Sequence, residues 1–233
     1  MIAAAFLLAG AVASATAADA ERAFAAMAQT EGQWTAFRAF AAENAQMFVP
    51  EAGNAQAWLK DRENPPVSVM WWPGRSWVSC DGALAINTGP WVRSGGASAG
   101  TFTTVWQRQA DGAWKWQLDH GRTTPRAVAA GDAVEVDRPI CRNLKAASAT
   151  QPSDAPSNDL LVQMDDAMPA TSLPGVAVED AGPIAAGVSA DASLRWEARA
   201  VKGEPGAHRL RVWTWDGVGY RLRLYEVTGL ARP

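Results

Sequence analysis

The sequence predicts an α+β fold: helices at the front of the chain packed on one face of a curved antiparallel sheet, followed by a three-stranded β meander near the C-terminus. Three observations carry this. Apolar residues recur at helical spacing across residues 19–42. From Val67 to Gly121 the chain breaks into short β-rich runs parted by Gly-containing turns. Residues 193–229 hold three more runs in which apolar residues alternate with arginine.

The chain opens on "MIAAAFLLAGAVASATAADAERAF". Ile2 to Val12 form an apolar core, and small residues such as Ala15-Thr16-Ala17 follow, the pattern of a secretory signal cleaved near Ala17. No Lys or Arg precedes the core, so a buried N-terminal helix is the competing reading. The core is too short for a stable bilayer anchor, and no later segment has the roughly 20 apolar residues that a span requires. The expectation is a periplasmic or secreted protein with no membrane span once residues 1–17 are removed.

Next come the helices. Phe24, Met27 and Ala28, then Trp34, Phe37 and Ala41, keep helical spacing, and Gly32 divides them into two helices. "AQMFVP" (45–50) reads as a short strand closed by proline. "NAQAWLKDR" (54–62) reads as a short helix capped by Asn54 and ended by Pro65-Pro66. The β-rich runs follow, with Asp81-Gly82, Gly95-Gly96 and Asp111-Gly112 as turns. Residues 123–192 carry Pro152, Pro156, Pro169, Pro174 and Pro183 amid Ala, Ser and Asp without a period, and read as a linker. The divisions are therefore 1–17 signal, 18–122 first domain, 123–192 linker and 193–229 meander. A three-stranded sheet is too small to stand alone, so its apolar face is expected to dock on the first domain or on a second subunit, the latter giving a homodimer.

Of 233 residues, 48% are hydrophobic and 19% charged, and the net charge is −3, which argues against nucleic acid or a charged membrane surface as partner. Cys80 and Cys141 are the two cysteines; in an exported chain they either bridge or remain separate thiols.

Three segments carry a resemblance: "FAAENAQMFVPEAGNAQAWL" (40–59), "VSCDGALAINTGPW" (78–91) and "TTVWQRQADGAWKWQLDHG" (103–121). With the order helix, helix, strand, helix, meander, residues 20–121 resemble the SnoaL-like branch of the nuclear transport factor 2-like superfamily, close to its uncharacterised exported members. The resemblance implies a cone, a strongly bent sheet wrapped on helices with a ligand pocket in its mouth. It implies no single activity, because the superfamily includes ketosteroid isomerases, polyketide cyclases, dehydratases and non-enzymatic proteins.

The last segment can be set in register. A three-residue loop, Ala110-Asp111-Gly112, pairs Trp106 with Trp116, Thr104 with Leu118 and Phe102 with His120. That register gathers apolar residues on one face, where a one-residue slip would scatter them. His120 is then expected on the concave, apolar side and Asp119 on the outer side beside Thr103, so the two cannot act as a dyad.

His120 is the catalytic candidate, a general acid or base in the cone mouth; the bland alternative is a core histidine. Its orienting carboxylate is sought among Glu31, Asp61 and Glu63. The ligand pocket is expected to be lined by Phe37, Phe48, Trp58, Trp71, Trp91, Phe102, Thr104, Trp106, Trp116 and His120, with plain core packing as the alternative for the aromatics. The isomerase-like tyrosine and paired acids are missing from the matched segments. Ser98 in "GASAG" matches a nucleophile elbow only in letters, since strands flank it on both sides. Neither a metal site nor a cofactor motif is found: His120 and His208 lack further ligands at useful spacing, and no Gly-rich loop opens a helix. Arg195, Arg199, Arg209, Arg211, Arg221 and Arg223 form a basic stripe, either a solvated face or a dock for an acidic partner. The expected function is binding of a small apolar molecule; a lyase or isomerase using His120 and a non-catalytic interaction module are the alternatives.

Overall fold

The structure, a computed structural model, describes residues 16–129, 131, 133–164 and 178–230. The apolar start read as a secretory signal lies outside the described residues, except for its last two positions, Thr16 and Ala17.

Among the described residues the fold is α+β, with two sheets and few helices. Helix α1 (Ala17–Thr30) begins where Thr16 Oγ1 accepts from the Asp19 N–H at 3.1 Å, an N-cap. Gly32, at φ +102°, separates it from α2 (Gln33–Phe40), as the sequence predicts. A Cβ at Gly32 would stand 2.2 Å from Asn64 Nδ2, and Asn64 Oδ1 accepts from the Trp34 and Thr35 N–H groups that open α2. Strand β1 (Ala41–Phe48), strand β2 (Ala52–Asn54) and helix α3 (Ala55–Leu59) follow. Asn54 caps α3, accepting from Ala57 N–H at 2.8 Å.

The first sheet continues with β3 (Met70–Trp71), β4 (Arg75–Val78), β5 (Leu84–Arg93), β6 (Ser98–Arg108), β7 (Trp114–Thr124) and β8 (Glu135–Asp137). Its order is β2-β1-β7-β6-β5-β4-β8, with β3 on β5. After helix α4 (Leu144–Ala149), a second sheet forms from β9 (Pro156–Met164), β10 (Asp180–Val188), β11 (Leu194–Val201), β12 (His208–Trp215) and β13 (Tyr220–Thr228), in the order β10-β11-β12-β13-β9.

The stretch read as a linker, 123–192, therefore carries β8, α4, β9 and β10, and the C-terminal sheet has five strands instead of three. The prolines misled because Pro156 opens one edge strand and Pro183 sits in the other, the places where a missing N–H costs no ladder bond.

Three cores result. Helices α1–α3 pack through Phe24, Ala28 and Leu59 on one face of the first sheet, against Trp71, Phe102, Trp106 and Trp116. The opposite face of that sheet (Trp77, Leu84, Ile86, Val105, Leu118) meets the second sheet (Leu194, Trp196, Leu210, Val212, Leu224). The far face of the second sheet, to which Trp213, Leu222, Tyr225 and, from β9, Leu160 and Met164 contribute, packs against Leu144 and Ala147 of α4 and against Val178. The apolar face of the C-terminal strands thus docks on the first sheet within the same chain. Cys80 and Cys141 form a disulfide tying the β4–β5 turn to the segment before α4.

The arginine stripe is answered by the chain itself. Arg199 and Arg209 pair with Asp180, Arg211 with Asp154, Arg221 with Asp216, and Arg223 with Asp137 and Asp159, while Arg195 donates to the Tyr220 hydroxyl. Four of those acids, Asp137, Asp154, Asp159 and Asp180, come from the stretch that looked like linker.

Candidate functional site

The β6–β7 hairpin decides which side chains reach the cavity. Its loop is the expected Ala110-Asp111-Gly112, with Gly112 at φ +84° and Trp106 opposite Trp116. One residue further the ladder shifts: Val105 pairs with Leu118, Thr104 with Asp119, Thr103 with His120 and Phe102 with Gly121. Gln117 is the extra residue of a β-bulge. Every side chain from Leu118 onward is therefore turned to the face opposite the one expected. His120 points between the sheets with Leu118, and Asp119 points toward the helices. The physical reason is that the second sheet covers the outer face. With both faces buried, segregating apolar from polar residues no longer selects one register.

A cavity of about 240 Å³ lies between α2, β1 and the first sheet. Phe37, Phe48, Trp71, Trp91, Phe102 and His120, all expected there, line it, together with Gln33, Trp34, Val69, Arg93, Asp119 and Gly121. Trp58, Thr104, Trp106 and Trp116 do not. Trp106 and Trp116 are fully buried in the helix-side core, Thr104 lies beneath Asp119, and Trp58 packs on Trp34 with the Arg62 guanidinium over its ring. Trp91 is fixed by its indole N–H, which donates to the carbonyls of Thr101 and Arg122 at 3.1 and 3.2 Å. A Cβ at Gly100 would stand 2.5 Å from Trp91 Cε2, and one at Gly121 3.3 Å from its indole nitrogen, so Gly100 above all gives the ring its seat.

Asp119 is the carboxylate in this aromatic chamber. Its Oδ2 accepts from Thr104 Oγ1 at 2.8 Å. Burial raises its pKa to about 6, outweighing the lowering effects of that hydrogen bond and of His120. Beneath it, Glu21 of α1 is fully buried. Its carboxyl accepts from Trp71 Nε1 at 2.9 Å, Trp106 Nε1 at 2.6 Å and Asn87 Nδ2 at 3.2 Å. Burial pushes Glu21 up to about 8 despite the indole donors, and the Asp119 charge adds to the rise. Glu21 therefore carries its proton at neutral pH. The signal for it was present in the sequence, since Glu21 occupies the same helical face as Ala17, Ala20, Phe24 and Ala28.

His120 has partners none of which was foreseen. Its Nε2 stands 3.2 Å from Glu226 Oε2, an ion-pair distance with alignment too poor for a hydrogen bond. Its Nδ1 meets His208 Nε2 at 2.6 Å. His208 is stacked on Phe48 with ring centroids 3.5 Å apart, and its Nδ1 faces the Gly206 carbonyl at 3.4 Å. Burial, reinforced by His120, drives His208 down to about 2, so it is neutral. With its proton on the Nδ1 facing Gly206, His208 offers its Nε2 as acceptor to His120 Nδ1, and the other ring nitrogen of His120 faces Glu226. Burial alone would raise Glu226; the His120 charge and the Thr103 hydroxyl, donating at 2.8 Å, outweigh it and hold the carboxylate below its ordinary range. Both imidazole nitrogens of His120 are thus engaged away from the cavity, and only the ring contributes to its wall. The orienting carboxylate is Glu226, not Glu31, Asp61 or Glu63. Ser98 opens β6 after a turn and has no strand-to-helix elbow around it. Among the described residues, no three His, Cys, Asp or Glu side chains cluster to hold a metal, and no helix is long and apolar enough to cross a membrane.

No protein-family profile and no curated protein matches the chain. Solved structures do. A putative ketosteroid isomerase from Shewanella frigidimarina is 21% identical over 46% of this chain and 96% of its own, with a TM-score of 0.35. A nuclear transport factor 2-like protein of unknown function from Shewanella oneidensis is 15% identical over 43% and 91%, also at 0.35. A nuclear transport factor 2-like protein from Bacteroides fragilis is 11% identical over 94% and 99%, at 0.25. Two of these three solved structures are described as nuclear transport factor 2-like proteins.

Proposed function

We propose that the aromatic cavity takes a small, mostly apolar molecule whose polar end meets Asp119. The observation that carries this is a half-buried carboxylate set among Phe37, Trp71, Trp91 and Phe102, with one oxygen held by Thr104. The cone expected from the family resemblance is the corresponding shape, with this cavity in its mouth. A thermal-shift screen of small aromatic and alicyclic alcohols and ketones tests the reading. At least one class raises the melting temperature of the wild type and leaves Val69→Trp, which fills the cavity, unmoved. A panel with no binder, or binding indifferent to Val69→Trp, sinks it.

A second reading is favoured by the carboxylate's proton affinity. A base whose pKa lies near 6 in an apolar site is matched to abstracting a proton from carbon beside a carbonyl, the step of an isomerase or lyase. Asp119 takes the role first sought in His120, whose nitrogens are occupied. Proton NMR in D2O, following exchange of α-protons in the same ketones, tests this. Exchange lost in Asp119→Asn supports it, and exchange indifferent to that change refutes it.

Export is proposed from the apolar N-terminal stretch and the Cys80–Cys141 disulfide, which suits an oxidising compartment. Cleavage after Ala15 keeps Thr16 as the cap of α1 and keeps the Ala17 carbonyl, which accepts from Asn87 Nδ2 at 2.9 Å. Intact mass of the protein recovered from the periplasm or medium tests both points.

A further inference from the structure

We infer that β1 with β4–β7, and β9 with β10–β13, are two copies of one five-stranded unit packed back to back about a two-fold axis within a single chain, the second copy serving as permanent partner to the outer face of the first.

Topology is the first ground. The strand orders β1-β7-β6-β5-β4 and β9-β13-β12-β11-β10 are the same path, and in each the first pair is parallel and the rest antiparallel. Register is the second, and it is the more demanding test. In one unit Trp106 pairs with Trp116 and the next pair is Val105 with Leu118; in the other Trp213 pairs with Leu222 and the next pair is Val212 with Leu224. The bulge residues Gln117 and Arg223 therefore occupy one position. The parallel pairs skip alike: Ala41 to Trp116 then Gln46 to Leu118, against Pro156 to Leu222 then Leu161 to Leu224. Face-to-face packing of two sheets requires neither irregularity.

The turns repeat as well. In Ser79–Leu84 and in Ser189–Leu194 the serine hydroxyl donates to the aspartate two residues on, at 2.5 and 2.6 Å. The leucine N–H donates back to that hydroxyl at 3.0 and 3.1 Å. Gly82 and Ala192 take the same left-handed conformation, at φ +68° and +59°.

These registers make Thr101 equivalent to His208, Phe48 to Gln163, and His120 to Glu226. In a two-fold interface, if residue i touches j, then the copy of i touches the copy of j. The contacts obey this. Phe48 stacks on His208, and Gln163 accepts from Thr101 at 2.6 Å. Asp191 accepts from the Asp81 N–H at 2.6 Å, and Asp81 accepts from the Asp191 N–H at 3.3 Å. His120 meets its own equivalent, Glu226.

Joining the copies frees them from identity. On a true two-fold axis each residue faces its own kind, and two buried glutamates would repel. Here the axial pair is His with Glu. Size is exchanged in the same way: the cross-strand pair Trp77–Ile86 corresponds to Gly187–Trp196, and a Cβ on Gly187 would lie 2.4 Å from the Trp196 indole nitrogen. The second copy has also given up the feature that marks the first cavity, since Tyr225 stands where Asp119 does and is fully buried under the α4 side.

The test is an exchange about the axis. His120→Glu and Glu226→His each place like groups opposite one another and lower the melting temperature; the double exchange recovers more than half of the combined loss. A double variant as damaged as the sum of the singles overturns the equivalence. If the singles do not fold, a crystal structure decides. Superposing β4–β7 on β10–β13 with the pairs above gives a rotation of about 180° for a two-fold relation, and a rotation far from a half-turn overturns it.

Discussion

Glu226 Oε2 lies 3.2 Å from His120 Nε2 although the two side chains come from different sheets, and neither is open to solvent. Removing one partner leaves the other buried without it. Glu226→Ala is expected to cost about 3–5 kcal/mol in urea titration, and more than Glu226→Gln, which keeps an acceptor for Thr103. A loss under about 1 kcal/mol, the worth of an exposed pair, would show that the pair contributes little.

Glu21 makes stability fall as pH rises. Its folded pKa, about 8, lies above its ordinary 4.5, so the unfolded chain sheds this proton first. The contribution is complete below about pH 4.5 and is lost as pH climbs to about 8, at up to roughly 1.4 kcal/mol per unit. Glu21→Gln keeps a neutral side chain in the same place and should flatten the profile over that window. A variant whose melting temperature still falls in parallel with the wild type would place the titration elsewhere.

His208 acts in the opposite direction. Its folded pKa, about 2, lies below the ordinary 6.5, so its contribution is present above pH 6.5 and is lost as pH falls toward 2. His208→Gln retains an acceptor for His120 and cannot charge. It should be relatively more stable than the wild type at pH 4 than at pH 7.5, as read from melting curves at both.

Asp119→Asn is expected to cut any α-proton exchange catalysed in the cavity by about 100-fold or more, while leaving His120→Asn the larger loser in stability. Equal loss of exchange in both variants, with both still folded, would restore His120 as the base.

Deleting Gln117 removes the bulge and makes Trp106–Trp116 and Val105–Leu118 consecutive pairs of a regular ladder, with Leu118, Asp119 and His120 on their present faces. The deletion variant should fold and keep the circular dichroism spectrum of the wild type, and Gln117→Ala should fold with a change within about 0.5 kcal/mol. A deletion variant that fails to fold would mean that the extra twist of the bulge, and not the pairing alone, is required there.

The helices, the Gly32 break, the Asn54 cap and the Ala110-Asp111-Gly112 loop were legible because each is set by local chemistry: a spacing, a positive φ or a side-chain cap. Gln117 was not, since nothing in "WKWQLDH" distinguishes a bulge from continuous alternation once both faces are buried. The strands β9 and β10 were hidden because an edge strand tolerates proline and takes its order from outside, here from Arg209, Arg211 and Arg223 reaching Asp180, Asp154 and Asp159. The partners of His120 were beyond reach for a related reason. Glu226 and His208 belong to a sheet whose placement no local pattern encodes.

The bonds from Trp71 and Trp106 to Glu21 have an optical consequence. Both indoles donate to a group that changes charge near pH 8, so each chromophore sits in an electric field that switches with one proton. Tryptophan emission should therefore step in that region in the native protein and stay level in Glu21→Gln, giving a label-free meter of the proton under the cavity floor.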